Sequence, residues 1–162
     1  PILLGGLFKA SGNSSPVMVP AKGRYMMMDD LPRFAKLYDV PLNNNPHFPI
    51  NTLNLMRGAV AALDSAYFEA YIDAVFKAIW ADSKNMGDMD TVTEVLSNVG
   101  LNATAILEST QDAEVKGKLI SNTQAAAERG LFGAPTMFVD GEMFFGQDRL
   151  QFVEAVLQQK DH

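Results

Sequence analysis

The sequence contains no cysteine, so disulfides, thiolate metal sites and a cysteine nucleophile are excluded for the 162 residues shown. Only two histidines occur, His47 and His162. His162 is the last residue and reads as a tail, so no histidine-based metal site is expected. Basic character is scarce: 13 Lys and Arg stand against 19 Asp and Glu, for a net charge of −6. Lys9, Lys22 and Arg24 cluster in sequence, but no basic stripe or run is there to neutralise phosphates. Nucleic acid is therefore not an expected partner. No apolar run approaches the roughly 18–20 residues that span a bilayer, and no signal peptide is visible.

What is present is the composition of a globular domain with a real core, 48 % hydrophobic and 20 % charged. Ile2 to Leu4 reads as a strand stopped by Gly5-Gly6, and Gly12 to Pro16 as loop. Gly23 to Tyr38 is helical in pattern, with Pro32 kinking or dividing it. A proline- and asparagine-rich connection, Val40 to Asn51, leads into a mostly helical block.

Helices are expected over Asn51 to Leu63, Ser65 to Asp82, from Asp90 to a stop at Gly100, from an Asn102 cap, and over Gln111 to Arg129. The clearest is the second, where Phe68, Tyr71, Ile72, Val75, Phe76, Ile79 and Trp80 form one broad apolar face.

Near the end, Thr136 to Val139 is apolar and β-prone, Asp140-Gly141 forms a two-residue turn, and Glu142 to Phe145 returns. Asp148 then opens a final helix. Pro135 stands at the mouth of the first strand of this hairpin, where it has no ladder hydrogen bond to donate. An ordinary strand-start proline and a cis-proline shaping a binding edge are both open from the residues alone.

Five stretches go further: "LLGGLFKASGN" (3–13), "VPAKGRYM" (19–26), "NPHFPINTL" (45–53), "GLFGAPTMFVDG" (130–141) and "FFGQDRL" (144–150). Together and in this order they resemble the 2-hydroxychromene-2-carboxylate isomerases, glutathione-dependent members of the kappa-class glutathione transferase and DsbA-like group. The resemblance implies an α/β, thioredoxin-like sheet with a large all-α insertion. Residues 1–22 and 124–162 would form the thioredoxin-like part, and residues 23–123 the helical insertion. Family members begin with a strand and a helix headed by a thiol-activating serine. These have no counterpart in this sequence, so the expectation is a truncated or processed part of a longer chain.

The resemblance also assigns roles. Pro135 is implied to be cis, with the Ala134 backbone pairing with the cysteinyl part of glutathione. Gln147 and Asp148 are implied to hold its γ-glutamyl end, and Lys22 its glycyl carboxylate. Asn13 and Asn51 are implied to lie near the sulfur or the substrate.

Each residue also has a plainer reading. Asp148 can be an N-cap, Asn13 a turn former, Lys22 a solvated charge, and Asn51 with Thr52 a helix cap. His47 reads as a loop residue. Phe8, Trp80 and Met26 to Met28 can wall an aromatic pocket or belong to the core.

The implied protein is a cytoplasmic bacterial homodimer using glutathione to interconvert 2-hydroxychromene-2-carboxylate and trans-o-hydroxybenzylidenepyruvate, with no membrane, nucleic-acid or metal partner. A kappa-class transferase, a DsbA-like oxidoreductase and, if the chain is whole as given, a non-catalytic fragment remain alternatives.

Overall fold

The structure is a computed structural model that describes residues 1–158; His162 lies outside them. Helix α1 (Leu4–Ser11) is followed by a 3-10 turn at Pro16–Met18 and by α2 (Pro20–Tyr25) and α3 (Leu31–Tyr38). Then come α4 (Leu53–Ala62), α5 (Phe68–Trp80), α6 (Met89–Asn98), α7 (Ala103–Ser109) and α8 (Ala113–Glu128). The hairpin β1 (Thr136–Val139) and β2 (Glu142–Phe145), a 3-10 turn at Gln147–Arg149, and α9 (Leu150–Gln158) complete the order.

The hairpin is antiparallel, with Thr136 opposite Phe145 and Val139 opposite Glu142. Asp140 and Gly141 both take positive φ, 53° and 85°, as a tight turn between right-twisted strands requires. These two strands form the only sheet among the described residues.

The expected strand at Ile2 to Leu4 is therefore corrected: α1 begins at Leu4. The Leu3 N–H is taken by Thr123 Oγ1 at 2.9 Å, and Asn122 Nδ2 donates to Pro1 O at 3.3 Å. Leu3 itself is extended, with φ −96° and ψ 108°, but pairs with no strand among the described residues. Gly5 and Gly6, read as a stop, lie inside the helix. A Cβ on Gly6 would come within 3.2 Å of Thr123 Cγ2, so the glycine is what lets α1 approach α8.

Pro32 does not divide its helix, which stays right-handed from Pro20 to Tyr38. A wide π-type turn over Met26–Asp30 joins α2 to α3 immediately before the proline, the kind of local adjustment that accommodates its missing N–H inside a helix.

The core is built by α4 to α7, with Leu55, Tyr71, Ile79, Met86, Val92 and Leu96 among its buried members. The broad face expected on α5 is narrower than read. Tyr71, Val75 and Ile79 are buried, whereas Phe76 is 61 % exposed. The α6 cap is Asp88 rather than Asp90; its Oδ2 accepts from Thr91 N at 3.0 Å and Thr91 Oγ1 at 2.7 Å. Asn102 caps α7 as expected, accepting from Ala105 N at 3.1 Å.

Asn45 ties the long connection to the core. It is 2 % exposed, donates to Ile79 O (2.9 Å) and Lys84 O (3.0 Å), and accepts from His47 N (2.9 Å). Asn45→Ala leaves these buried groups without their partner and is expected to lower stability by about 2 kcal/mol in a urea titration.

Candidate functional site

The segment between α8 and β1 is where the chemistry-bearing motifs converge. Helix α8 ends at Glu128, and Gly130, with a φ of 85°, turns the chain back toward the hairpin. Gly133 is buried, and a Cβ there would lie 2.7 Å from Phe145 Cε2. The bare glycine therefore lets the Phe145 ring close over the loop, 4.6 Å from the Phe132 ring by centroid.

Carbonyls on either side of Ala134 are held. Asn13 Nδ2 donates to Phe132 O at 2.7 Å, across 119 residues of sequence. Thr136 Oγ1 donates to Gly133 O at 2.8 Å, and Gly146 N to Pro135 O at 2.9 Å.

The Ala134–Pro135 peptide is cis, as the resemblance implied. Ala134 and Pro135 are exposed, and neither the N–H nor the C=O of Ala134 has a hydrogen-bond partner among the described residues. A short extended backbone edge thus stands open between tied neighbours, and such an edge pairs with peptide-like ligands. A second cis peptide, Phe48–Pro49, was not foreseen.

Gly146 links this edge to the start of α9. Its φ is 102°, and a Cβ would fall 2.5 Å from Asp148 Oδ1. Asp148 lies inside the 3-10 turn that precedes α9 and makes no capping bond there, which corrects the helix-cap reading. Its carboxylate instead pairs with Arg149, both side chains being about half exposed.

The next residue back, Gln147, has its carbonyl bonded by Tyr38 Oη at 3.1 Å, so α3 fixes the turn. Sequence reading missed Tyr38; an aromatic residue closing an amphipathic helix was its only signal. Phe34, Tyr38, Asp148, Arg149 and Glu154 line a cleft of about 560 Å³, so charges of both signs face one space. Gly146→Ala is expected to displace Asp148 and to lower stability by about 1–2 kcal/mol, read by urea titration.

The other assigned residues are placed differently. Lys22 is exposed on α2 and forms no ion pair among the described residues. The side-chain oxygen of Asn51 accepts from Leu53 N at 3.1 Å, which engages it in starting α4. Among the described residues, no hydrogen bond joins either of them to the Pro135 loop. Met27, Met28 and Trp80 share a recess of only about 140 Å³, and Phe8 does not line it. That is well below the roughly 300–1,000 Å³ of ordinary ligand pockets.

Among the described residues, no group of three or more His, Asp or Glu is disposed to hold a metal, and no helix is long and apolar enough to cross a membrane.

Comparison with known proteins adds three likenesses and one family match. The chain matches the family described as DSBA-like thioredoxin domain over residues 1–158. It is 35 % identical over 132 residues to 2-hydroxychromene-2-carboxylate isomerase of Sphingobium xenophagum, covering 82 % of this chain and 67 % of that protein. It is 32 % identical over 175 residues to glutathione S-transferase kappa 1 of Rattus norvegicus, covering 99 % of this chain and 76 % of the relative. A solved 2-hydroxychromene-2-carboxylate isomerase superposes with a TM-score of 0.87 at 29 % identity, covering 98 % of this chain and 77 % of the other.

Proposed function

Because the chain belongs to the DSBA-like thioredoxin-domain family, we propose that it serves a glutathione-dependent isomerase that interconverts 2-hydroxychromene-2-carboxylate and trans-o-hydroxybenzylidenepyruvate. One observation carries this reading: the exposed, unpaired Ala134 edge beside cis-Pro135, joined through Gly146 to a cleft bearing Asp148 and Arg149. The 35 % identity to a named isomerase and the fold likeness over nearly the whole chain support it.

The residues suit glutathione. Its cysteinyl unit offers one N–H and one C=O, which the free C=O and N–H of Ala134 complement. Its γ-glutamyl end is a zwitterion, and the Asp148 and Arg149 side chains offer a carboxylate for the ammonium and a guanidinium for the carboxylate. Lys22 would take the glycyl carboxylate.

The chemistry glutathione supplies is reversible thiol addition to the conjugated double bond of the ring-opened keto acid, which frees rotation and is undone by elimination. The chain's own part is to orient. Asn13 holds the Phe132 carbonyl and thereby the loop, Gly133 admits the Phe145 ring, and Tyr38 fixes the Gln147 carbonyl. Pro135 holds the edge that faces the ligand.

A second reading, a kappa-type transferase, is favoured by the wider match to the rat protein, which covers 99 % of this chain. One assay separates the two in the protein as its host makes it. Isomerisation followed by absorbance should require glutathione. Conjugation of electrophiles without isomerisation would assign the transferase, and isomerisation unaffected by removing glutathione would contradict the proposal.

A further inference from the structure

Helix α3 reaches the turn that bears Asp148 through Tyr38, its last residue. The phenol hydroxyl donates to Gln147 O at 3.1 Å, across 109 residues of sequence. Two features hold the phenol in place. Its ring stacks on Phe34, one helical turn earlier, with centroids 5.7 Å apart and planes 30° from parallel. Asp39 then closes the helix in the left-handed region, at φ 52°, and Val40 N donates back to Ala35 O at 3.0 Å. Such a closure ends a helix in a defined conformation, so Tyr38 stands at a fixed helix end.

The receiving carbonyl belongs to a bonded turn. Gln147 O also accepts from Leu150 N, Arg149 N donates to Gly146 O at 3.2 Å, and Gly146 N to Pro135 O at 2.9 Å. The bond from Tyr38 is the one of these four that comes from outside the hairpin and α9. Gly146 precedes the turn at φ 102°, and glycine restricts its own backbone least, so the set of the turn depends on tertiary bonds. In a trans peptide the C=O and the following N–H point in opposite directions. A donor on Gln147 O therefore also orients the Asp148 N–H and, through the next Cα, the Asp148 carboxylate.

We propose that Tyr38 is a positioning residue for the γ-glutamyl end of glutathione, acting through Gln147 O on Asp148 and Arg149. The inference rests on the function proposed above. Tyr38, Asp148 and Arg149 border one cleft, so the phenol sets the charges of the space that it helps to enclose. A carboxylate and a guanidinium recognise a zwitterion only when both stand at the right separation, and a shifted turn weakens each charge-assisted bond. The Ala134 edge would keep its place, because Asn13 and Thr136 hold its neighbours independently. Tyr38 thus governs affinity for glutathione and not the chemistry of bound glutathione.

The test is Tyr38→Phe in the protein as its host makes it, with Tyr25→Phe as the control. Tyr38 is 40 % exposed and phenylalanine keeps the stack on Phe34, so cooperative melting should be retained. Tyr25 lies on the same right-handed segment, and its hydroxyl accepts from Arg33 Nη1. Its loss should leave glutathione affinity unchanged. Tyr38→Phe should weaken calorimetric glutathione binding by about three- to tenfold, the effect of one hydrogen bond. The KM for glutathione should rise to match, with kcat held within about twofold. In the free protein the Asp148 and Arg149 amide resonances should move. In an Asp148→Ala background the loss on Tyr38→Phe should shrink, since the group being positioned is gone.

Unchanged affinity in Tyr38→Phe, equal weakening in Tyr25→Phe, a fall in kcat with KM unchanged, or additive losses in the double variant would each overturn the inference and leave glutathione binding itself standing. Failure of the unsubstituted protein to bind glutathione at millimolar concentration would overturn the proposed function, and this inference with it.

Discussion

Gly58→Ala is expected to lower the stability of the fold by about 2–5 kcal/mol, combining overpacking with a lost buried hydrogen bond. Gly58 lies where α4 crosses α5, and a Cβ there would fall on Tyr71 Oη and come within 2.9 Å of its Cζ. The ring cannot easily retreat, because Tyr71 is 2 % exposed and its hydroxyl donates to Leu55 O at 2.8 Å. Adding one methyl group therefore forces either the ring out of its site or the helices apart.

The mechanism makes a second prediction about coupling. Tyr71→Phe removes the hydroxyl that collides, so Gly58→Ala should cost markedly less in that background. Additive costs in a double-mutant cycle, measured by urea titration, would mean that the clash is not the cause.

Alkaline pH probes the same hydroxyl. Burial, with a smaller contribution from Tyr67, holds the Tyr71 phenol above its ordinary value of 10.0. A raised folded-state value means that the stability is fully present below the unfolded value and declines as pH rises past it. The unfolded chain then ionises while the folded chain stays neutral. Stability should fall above about pH 10, and Tyr71→Phe should remove that part of the slope.

Asp148→Ala is expected to weaken glutathione binding by about 1–3 kcal/mol, the range for a charge-assisted hydrogen bond, each 1.4 kcal/mol being tenfold in Kd. The carboxylate is half exposed and already faces Arg149, so a ligand ammonium joins an existing pair instead of replacing water on a lone charge. Glutathione's own carboxylate can then turn to the guanidinium. Calorimetric affinity unchanged in Asp148→Ala would remove this residue from the site. A loss would tie glutathione to the turn that precedes α9.

How much of this was legible depended on whether local chemistry or distant packing decided the outcome. The hairpin was readable to the residue, because Asp140-Gly141 satisfies the dihedral demands of a two-residue turn. The helix ends at Gly100 and Gly130 followed from left-handed φ values that glycine adopts freely.

Ile2 to Leu4 went the other way. A short apolar run followed by glycines has no period of its own, and its conformation is settled by Thr123 and Asn122, which lie some 120 residues on. Phe76 fits the apolar period of α5 by spacing, yet none of the described elements covers it.

The candidate site divides in the same way. The Pro135 motif was visible as a motif. That the Asn13 amide would reach Phe132 O, or Tyr38 the Gln147 carbonyl, depends on contacts between elements that no local pattern encodes.

The measurement that tests the central claim most directly is amide-shift mapping of glutathione on the isotopically labelled protein. The account predicts saturable shifts at the Ala134, Gly146 and Asp148 amides and at Lys22. Shifts confined to other surfaces, or none at several-fold the concentration that saturates the glutathione-requiring assay, would contradict it.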